Sequence, residues 1–275
     1  MNKRLKISIY LLIIFISSLQ VLFAQSGNIS TQEISLDKKL HIGDEFTYIV
    51  KYAFLDLGEV KTIVYDKDTL NGKIIYKAKG YIDSYEGLPF VTLHQVYESW
   101  FDTTLHPVFF KVLIFNESDT SYVKYDFLDY NRIHIQKGIL NRGKTSLDTL
   151  VNLNTKYLDG LSILYYARFM NEINNHLIIP CYINEDTSTT IINYFDKDVP
   201  VSIEAVDYEI SSFRMEGNIG FTGIFGLTGY FESWFSNDEY NIPLSADLQV
   251  IIGDITIELL DWKKSNWLPP AYDNE

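Results

Sequence analysis

One hairpin pattern occurs twice in the sequence, and this repetition strongly limits the folds that the chain can adopt. In each copy an aromatic residue and Glu-Ser-Trp-Phe lead through a polar turn to a proline and an apolar segment. The copies are residues 97–101 with Pro107 and residues 231–235 with Pro243. An extended run that turns and restarts at a proline is typical of a β-hairpin. We expect two similar hairpins with their tryptophans in the same layer of the fold.

Most of the chain after residue 44 alternates with a period of two and is rich in aromatic and β-branched residues. Turn residues recur at short intervals, which is the pattern of antiparallel strands. The sequence therefore predicts an all-β domain. Residues 66–68 and 70–73 are expected to form a turn that leads into residues 74–76. The further expected strands are residues 91–101, 108–115, 121–127, 132–136, 177–183, 189–195, 199–206, 213–219, 229–235, 244–252 and 254–260, after a first strand at residues 46–54.

Residues 159–170 depart from this period and predict a helix. Asp159 is a candidate N-cap. One face at helical spacing is formed by Leu161, Leu164, Tyr165 and Arg168. Because the segment is apolar nearly all round, we expect a buried helix that plugs the concave side of the sheet.

The first 24 residues have the features of a secretory signal peptide. A basic segment precedes an apolar run over residues 7–22, and Ala24 supplies a small residue for cleavage. The alternative is an uncleaved membrane anchor, but the run is short for a span of about 20 residues. We expect cleavage after Ala24, which leaves residues 25–275 as a single β-domain in the periplasm or outside the cell, with no integral membrane segment.

The composition excludes several classes of function. The chain has a net charge of −13, which argues against nucleic acid or an anionic membrane surface as a partner. The single cysteine, Cys181, rules out an intramolecular disulfide, and we interpret it as a small buried side chain. The five histidines lie far apart, and no phosphate-binding loop or nucleophile elbow is present. We therefore expect no metal, no cofactor and no catalytic residue.

Further motifs lie at residues 42–48 (Ile-Gly-Asp-Glu-Phe-Thr-Tyr), 57–60 (Leu-Gly-Glu-Val), 159–168, 234–243 and 250–259. In this order they resemble the secreted bacterial family called domain of unknown function 3108. Asn237 departs from the acidic residue expected in that pattern, although a polar turn tolerates it. The resemblance implies an exported, mostly antiparallel β-protein whose sheet meanders and curls into a large open or partly closed barrel. It implies no catalytic residues.

Arg168 is the first candidate ligand-binding residue, because it is a charged side chain on an otherwise apolar helix. A buried guanidinium needs an acceptor. One interpretation is an anchor for a phosphate or carboxylate headgroup in a cavity. The other, which we favour from sequence, is an internal ion pair with Asp159 or with a carboxylate on a strand.

Trp100 and Trp234, the tryptophans of the repeated pattern, are the other candidate ligand-binding residues. Their rings could stack on sugars, but large rings on paired hairpins are more often structural. Strand parity places Glu98 on the face of Trp100 and Glu232 on the face of Trp234.

Export, a long aromatic-rich sheet and the lack of a catalytic motif predict a non-enzymatic envelope protein that binds a lipid or glycan-type molecule in its concavity. The alternative is a structural module that binds another envelope protein and whose barrel is filled by its own side chains and helix. A carboxylate-dependent hydrolase and an outer-membrane barrel are further alternatives. The polar, acidic C terminus and Arg168 on a buried helix argue against the outer-membrane barrel.

Overall fold

A single antiparallel sheet of fourteen strands dominates the computed structural model, which describes residues 36–88, 92–129, 131–172, 176–223, 227–250 and 253–273. The predicted signal peptide, residues 1–24, lies outside the described residues. The strands are β1 Glu45–Tyr52, β2 Leu55–Leu70, β3 Lys73–Ser84, β4 His94–Asp102, β5 Pro107–Phe115, β6 Thr120–Asp129, β7 Arg132–Ile139, β8 Lys144–Asn152, β9 His176–Ile183, β10 Asp186–Val201, β11 Ile210–Ile219, β12 Gly229–Ser236, β13 Pro243–Val250 and β14 Gly253–Lys263.

In the described ranges, two α-helices accompany the sheet: α1, Leu36–Lys39, and α2, Ser162–Phe169. The 3-10 turns Leu140–Arg142 and Met170–Glu172 follow β7 and α2. Helix α2 is the predicted helix, shortened at its start, whereas α1 is too short to give a periodic signal. Neither helix has the length and apolarity needed to cross a bilayer.

The sheet order is β8-β7-β6-β5-β4-β3-β2-β1-β14-β13-β12-β11-β10-β9. Consecutive strands therefore pair within β1–β8 and within β9–β14, and the pairing of β1 with β14 joins these two halves of the sheet. Phe46 lies opposite Trp262, and Tyr48 lies opposite Leu259, in this central pair. The all-β class and the open, curled meander are as predicted, with β8 and β9 as the two edges.

Contacts made by the β9–β10 turn bridge the gap between the two halves of the sheet. The Glu185 carboxylate accepts a hydrogen bond of 2.9 Å from the Tyr125 hydroxyl on β6 and contacts the Lys137 ammonium on β7 at 2.5 Å. Beside β9, Leu158 forms an isolated parallel bridge with Cys181. The sheet is thus drawn together without continuous strand pairing between its edges.

Helix α2 packs between the two walls of the curled sheet. Tyr165 and Phe169 belong to one buried apolar cluster with Phe101 of β4. Ile163 and Ala167 belong to a second cluster, formed with β9 to β12. Burial on two sides explains why the helix is apolar nearly all round.

The two repeated hairpins have the same register, as predicted. In β4–β5 the pairing shifts between Trp100 and Phe101, and Phe101 lies opposite Pro107. In β12–β13 the shift again follows the tryptophan, and Phe235 lies opposite Pro243. Each proline begins its strand, where its lack of an N–H group is tolerated.

Several expectations about the strands were wrong. Strands β2 and β8 were not predicted, and β3 is longer than the run expected at residues 74–76. The two strands expected over residues 189–206 are one strand, β10, with register shifts between Tyr194 and Val199. Residues 66–68, interpreted as a turn, lie inside β2.

Candidate functional site

The inner face of the sheet and helix α2 bound a cavity of about 840 Å³. Its wall is mostly apolar and aromatic, with contributions from nearly every strand. The lining side chains include Val60, Tyr97, Val112, Met215, Phe231 and Ile257. This volume falls within the range of about 300–1,000 Å³ found for small-molecule sites.

The cavity extends along the strands between two ends. Phe46 and Pro243, near the starts of β1 and β13, line one end. Leu93 and Leu227, in the β3–β4 and β11–β12 connections, line the other. The guanidinium carbon of Arg168 lies 5.8 Å from the centroid of the Phe46 ring, so Arg168 belongs to the first end. We refer to these as the Arg168 end and the Leu227 end.

A buried hydrogen-bond network around Asp159 fixes the start of α2. The carboxylate accepts hydrogen bonds from the backbone N–H groups of Leu161 (2.7 Å) and Ser162 (2.8 Å). In return, the Asp159 N–H donates to the Ser162 hydroxyl at 3.1 Å. The Ser99 hydroxyl, on the inner face of β4, donates to Asp159 at 2.6 Å. The N-cap position of α2 is Leu161, so the N-cap prediction for Asp159 was wrong by two residues. Asp159 instead closes the turn just before the helix and ties α2 to the repeated hairpin.

Asp159 should make stability fall as the pH rises. Burial raises the pKa of its carboxyl group from 3.8 to about 6. Because the folded pKa exceeds the unfolded one, the stabilising contribution is complete below about pH 4 and is lost as the pH rises through about 6. Asp159→Asn keeps an acceptor for the backbone groups without this ionisation. Its free energy of unfolding relative to wild type should rise by about 2 kcal/mol between about pH 4 and 7, measured by urea denaturation.

An exposed aspartate provides the control. Hydrogen bonds from His134 and Gln136 lower the pKa of Asp148, so Asp148→Asn should lose stability relative to wild type as the pH rises. A free-energy difference for Asp159→Asn that does not change with pH would contradict a raised pKa for Asp159.

Arg168 is only 5% exposed and lines the Arg168 end of the cavity. Its Nε–H donates to the Tyr240 carbonyl at 2.7 Å, and its guanidinium carbon lies 4.8 Å from the Phe169 ring centroid. Among the described residues, its Nη2 atom is buried and has no hydrogen-bond partner. Burial lowers the pKa of the guanidinium.

The ion pair expected for Arg168 is absent from the described residues, so the structural interpretation favoured from sequence was wrong in this respect. Asp159 instead accepts bonds from Ser99 and from the start of α2. The Asp44 carboxylate is near enough to interact electrostatically with Arg168, but it pairs with the Lys264 ammonium at 2.7 Å. The acceptor that Arg168 does have is a backbone carbonyl, which leaves part of its hydrogen-bonding capacity unused.

Trp100 and Trp234 lie on the outer face of the sheet and do not line the cavity, which corrects their assignment to a ligand site there. Their strand neighbours Ser99 and Ser233 face inward and are buried. The Trp100 indole N–H donates to Glu98 at 2.9 Å, on the shared face that strand parity predicts. Both tryptophans are half-buried, in the same layer as each other.

Two residues important to the site, Tyr48 and Ser99, were not identified as such from sequence. The Tyr48 phenol, buried beside Arg168, is one of several aromatic residues on β1. Ser99, which anchors α2, lies inside the repeated pattern, but only its neighbours Glu98 and Trp100 were considered from sequence. The repetition itself was the available signal for Ser99, because the pattern places Ser99 and Ser233 on the same face.

The described residues hold no cluster of three or more side chains suited to a metal ion. Burial raises the pKa of the Cys181 thiol to about 11, and its Sγ donates to the Ile179 carbonyl at 3.3 Å. Cys181 is thus a packed side chain of β9.

Comparison with known proteins identifies the fold. No protein-family model matches the chain, and no curated protein matches it. A β-barrel-like protein of domain of unknown function 1849 from Brucella abortus has a similar structure. Its TM-score is 0.51 at 7% identity, with 81% of this chain and 97% of that chain covered. A Bacteroides fragilis protein described as exported, with a YmcC-like fold, covers 82% and 97% at 9% identity, with a TM-score of 0.34.

Proposed function

We propose that this protein is a non-enzymatic, exported binder of a lipid-type molecule, which it holds in the cavity between α2 and the sheet. The observation that carries the proposal is the cavity itself, about 840 Å³ in volume and lined mainly by apolar and aromatic side chains. Removing a hydrocarbon chain from water into such a space is favourable, at roughly 25 cal/mol per Å² of apolar area.

The lining favours a lipid over a glycan. A sugar needs many hydrogen bonds, and several polar groups of the wall already have protein partners: Lys137 contacts Glu185, and Tyr125 donates to the same carboxylate. The candidate sugar-stacking rings, Trp100 and Trp234, lie on the outer face. The remaining wall consists mostly of aliphatic and aromatic side chains, which suit acyl chains.

The size of the cavity also favours binding over the alternative of a filled structural barrel. Helix α2 occupies part of the interior, yet Leu164 on this helix is 53% exposed and lines the cavity. An interior filled by its own side chains would bury such a leucine, because protein cores pack with few voids larger than a water molecule.

Native mass spectrometry of the protein isolated from envelope extracts tests the proposal. We expect a bound mass that organic extraction releases and that proves to carry a hydrocarbon chain. In parallel, the fluorescent apolar probe N-phenyl-1-naphthylamine should bind the delipidated protein and be displaced by hexadecanoate. A protein that carries no bound mass and does not bind the probe would contradict the proposed function.

A further inference from the structure

Arg168 is an incompletely paired cation in the wall of an apolar cavity. Its Nε donor reaches the Tyr240 carbonyl at 2.7 Å, while Nη2 is buried and has no partner among the residues that the structure describes. Leaving a buried charged donor without an acceptor costs more than a typical hydrogen bond contributes. A ligand that brings an acceptor atom to Nη2 would remove this cost, so binding of such a ligand at Arg168 is favourable.

Within the described part of the chain, the elements packed around Arg168 do not supply this acceptor. The Asp44 carboxylate is engaged by Lys264 at 2.7 Å. The Asp238 carboxylate accepts from the Trp267 indole N–H at 2.7 Å and from the backbone N–H groups of its own turn. The phenols of Tyr48 and Tyr165 also lie near the guanidinium, and burial raises the pKa of Tyr165 to about 12, so this phenol is neutral. The immediate surroundings of Arg168 therefore leave its charge incompletely matched.

The side chain and backbone of Arg168 are held in place from the same turn. The Tyr240 carbonyl accepts from Nε, and the Asn241 side-chain amide donates to the Arg168 carbonyl at 3.1 Å. The rings of Phe46 and Phe169 lie 5.8 and 4.8 Å from the guanidinium carbon, within cation–π range. This support orients the guanidinium before any ligand arrives.

We propose that the ligand is an amphiphile with an oxyanion head, a carboxylate or a phosphate, which binds the Arg168 guanidinium while its apolar tail lies along the cavity toward the Leu227 end. This inference rests on the proposed function and adds the chemistry and orientation of the ligand. The planar guanidinium matches the geometry of both oxyanions, and charge-assisted hydrogen bonds to them are roughly twice as strong as neutral ones.

Binding of three ligands to the wild-type protein tests the inference. Hexadecanoate, hexadecyl phosphate and hexadecanol share one chain and differ in the head, and each is measured by displacement of N-phenyl-1-naphthylamine. We expect the better of the two anions to bind at least tenfold more tightly than the alcohol, and the order of the two anions identifies the head as carboxylate or phosphate. Equal affinity for all three would overturn this inference and leave the proposed function standing. Binding of none would overturn both.

Replacing the guanidinium tests the assignment to Arg168. Arg168→Met should abolish the preference for an anionic head while the affinity for hexadecanol stays within about twofold. Arg214→Met, which removes an outer-face arginine paired with Glu232, is the matched control and should keep the preference. An Arg168→Met protein that melts cooperatively and still prefers the anion would contradict the assignment. If this variant does not fold, the wild-type comparison alone decides whether the head is anionic.

Discussion

Ala246→Trp should weaken binding of hexadecanoate at least tenfold. Ala246 is a half-buried residue of β13 that lines the cavity between its cross-strand neighbours Ser233 and Ile257. An indole at this position projects into the space that the acyl chain needs, and overpacking of a formed site costs about 1–3 kcal/mol. The measurement is displacement of N-phenyl-1-naphthylamine from the delipidated variant.

The adjacent residue supplies the control for this substitution. Asp247 is exposed on the outer face of the same strand, where it accepts a hydrogen bond of 2.7 Å from Thr256. Asp247→Trp adds the same ring outside the cavity and should leave affinity within about twofold of wild type. If both variants bind as the wild type does, the ligand does not occupy the cavity beside Ala246.

Lys264→Met should destabilise the protein by about 3–5 kcal/mol, because it leaves the Asp44 carboxylate buried without its ammonium partner. The two side chains are 2% and 8% exposed and lie 2.7 Å apart. The Lys264 ammonium also lies 4.0 Å from the Tyr240 ring centroid. The pair joins the start of β1 to the end of β14, where the first and last strands of the meander meet.

Lys263, the neighbouring residue, is the control. Its side chain is 71% exposed and pairs with Glu45 at 2.8 Å. Exposed pairs contribute about 0–1 kcal/mol, so Lys263→Met should change the free energy of unfolding by no more than that. Urea denaturation of both variants at one pH decides the question: equal losses would show that the burial of Lys264 carries no extra stability.

Period-two alternation was sufficient to predict most strands, because half-buried strands of an antiparallel sheet alternate polar and apolar side chains. This prediction failed for strands that bury little apolar surface and for strands with turn-forming residues. Strand β8 is an edge strand with no fully buried residue, and its apolar face is short because only Leu147 and Val151 of this strand pack against the core. Asp66 and Asp68 have turn-forming composition but lie in β2, where both contact Lys77 on β3 at 2.9 and 3.2 Å.

The site was predictable only in part. The helical pattern singled out Arg168, since a charge on an apolar helix is conspicuous. Its acceptor could not be predicted, because the Tyr240 carbonyl is a backbone group 72 residues away and any residue supplies one. Likewise, strand parity placed Trp100 and Ser99 on opposite faces of β4, but it could not say which of these faces points into the sheet's interior.

The two adjacent lysines near the end of β14 illustrate the same limit. Lys263 and Lys264 are chemically identical, yet one is exposed and the other is buried beside Asp44. Adjacent residues of extended backbone point to opposite sides, and the side that Lys264 occupies is the one on which the Asp44 carboxylate lies. Local sequence does not contain this information, since Asp44 is 220 residues away.

A crystal structure of the delipidated protein soaked with 16-bromohexadecanoate is the most direct test of the central claim, that the cavity binds an acyl chain. Anomalous scattering locates the bromine without reference to any assumed pose. We predict a bromine peak inside the cavity, toward the Leu227 end, with the chain bounded by α2 and by residues such as Val112 and Phe231. A cavity without ligand density, or a bromine site only on the outer face of the sheet, would contradict the claim.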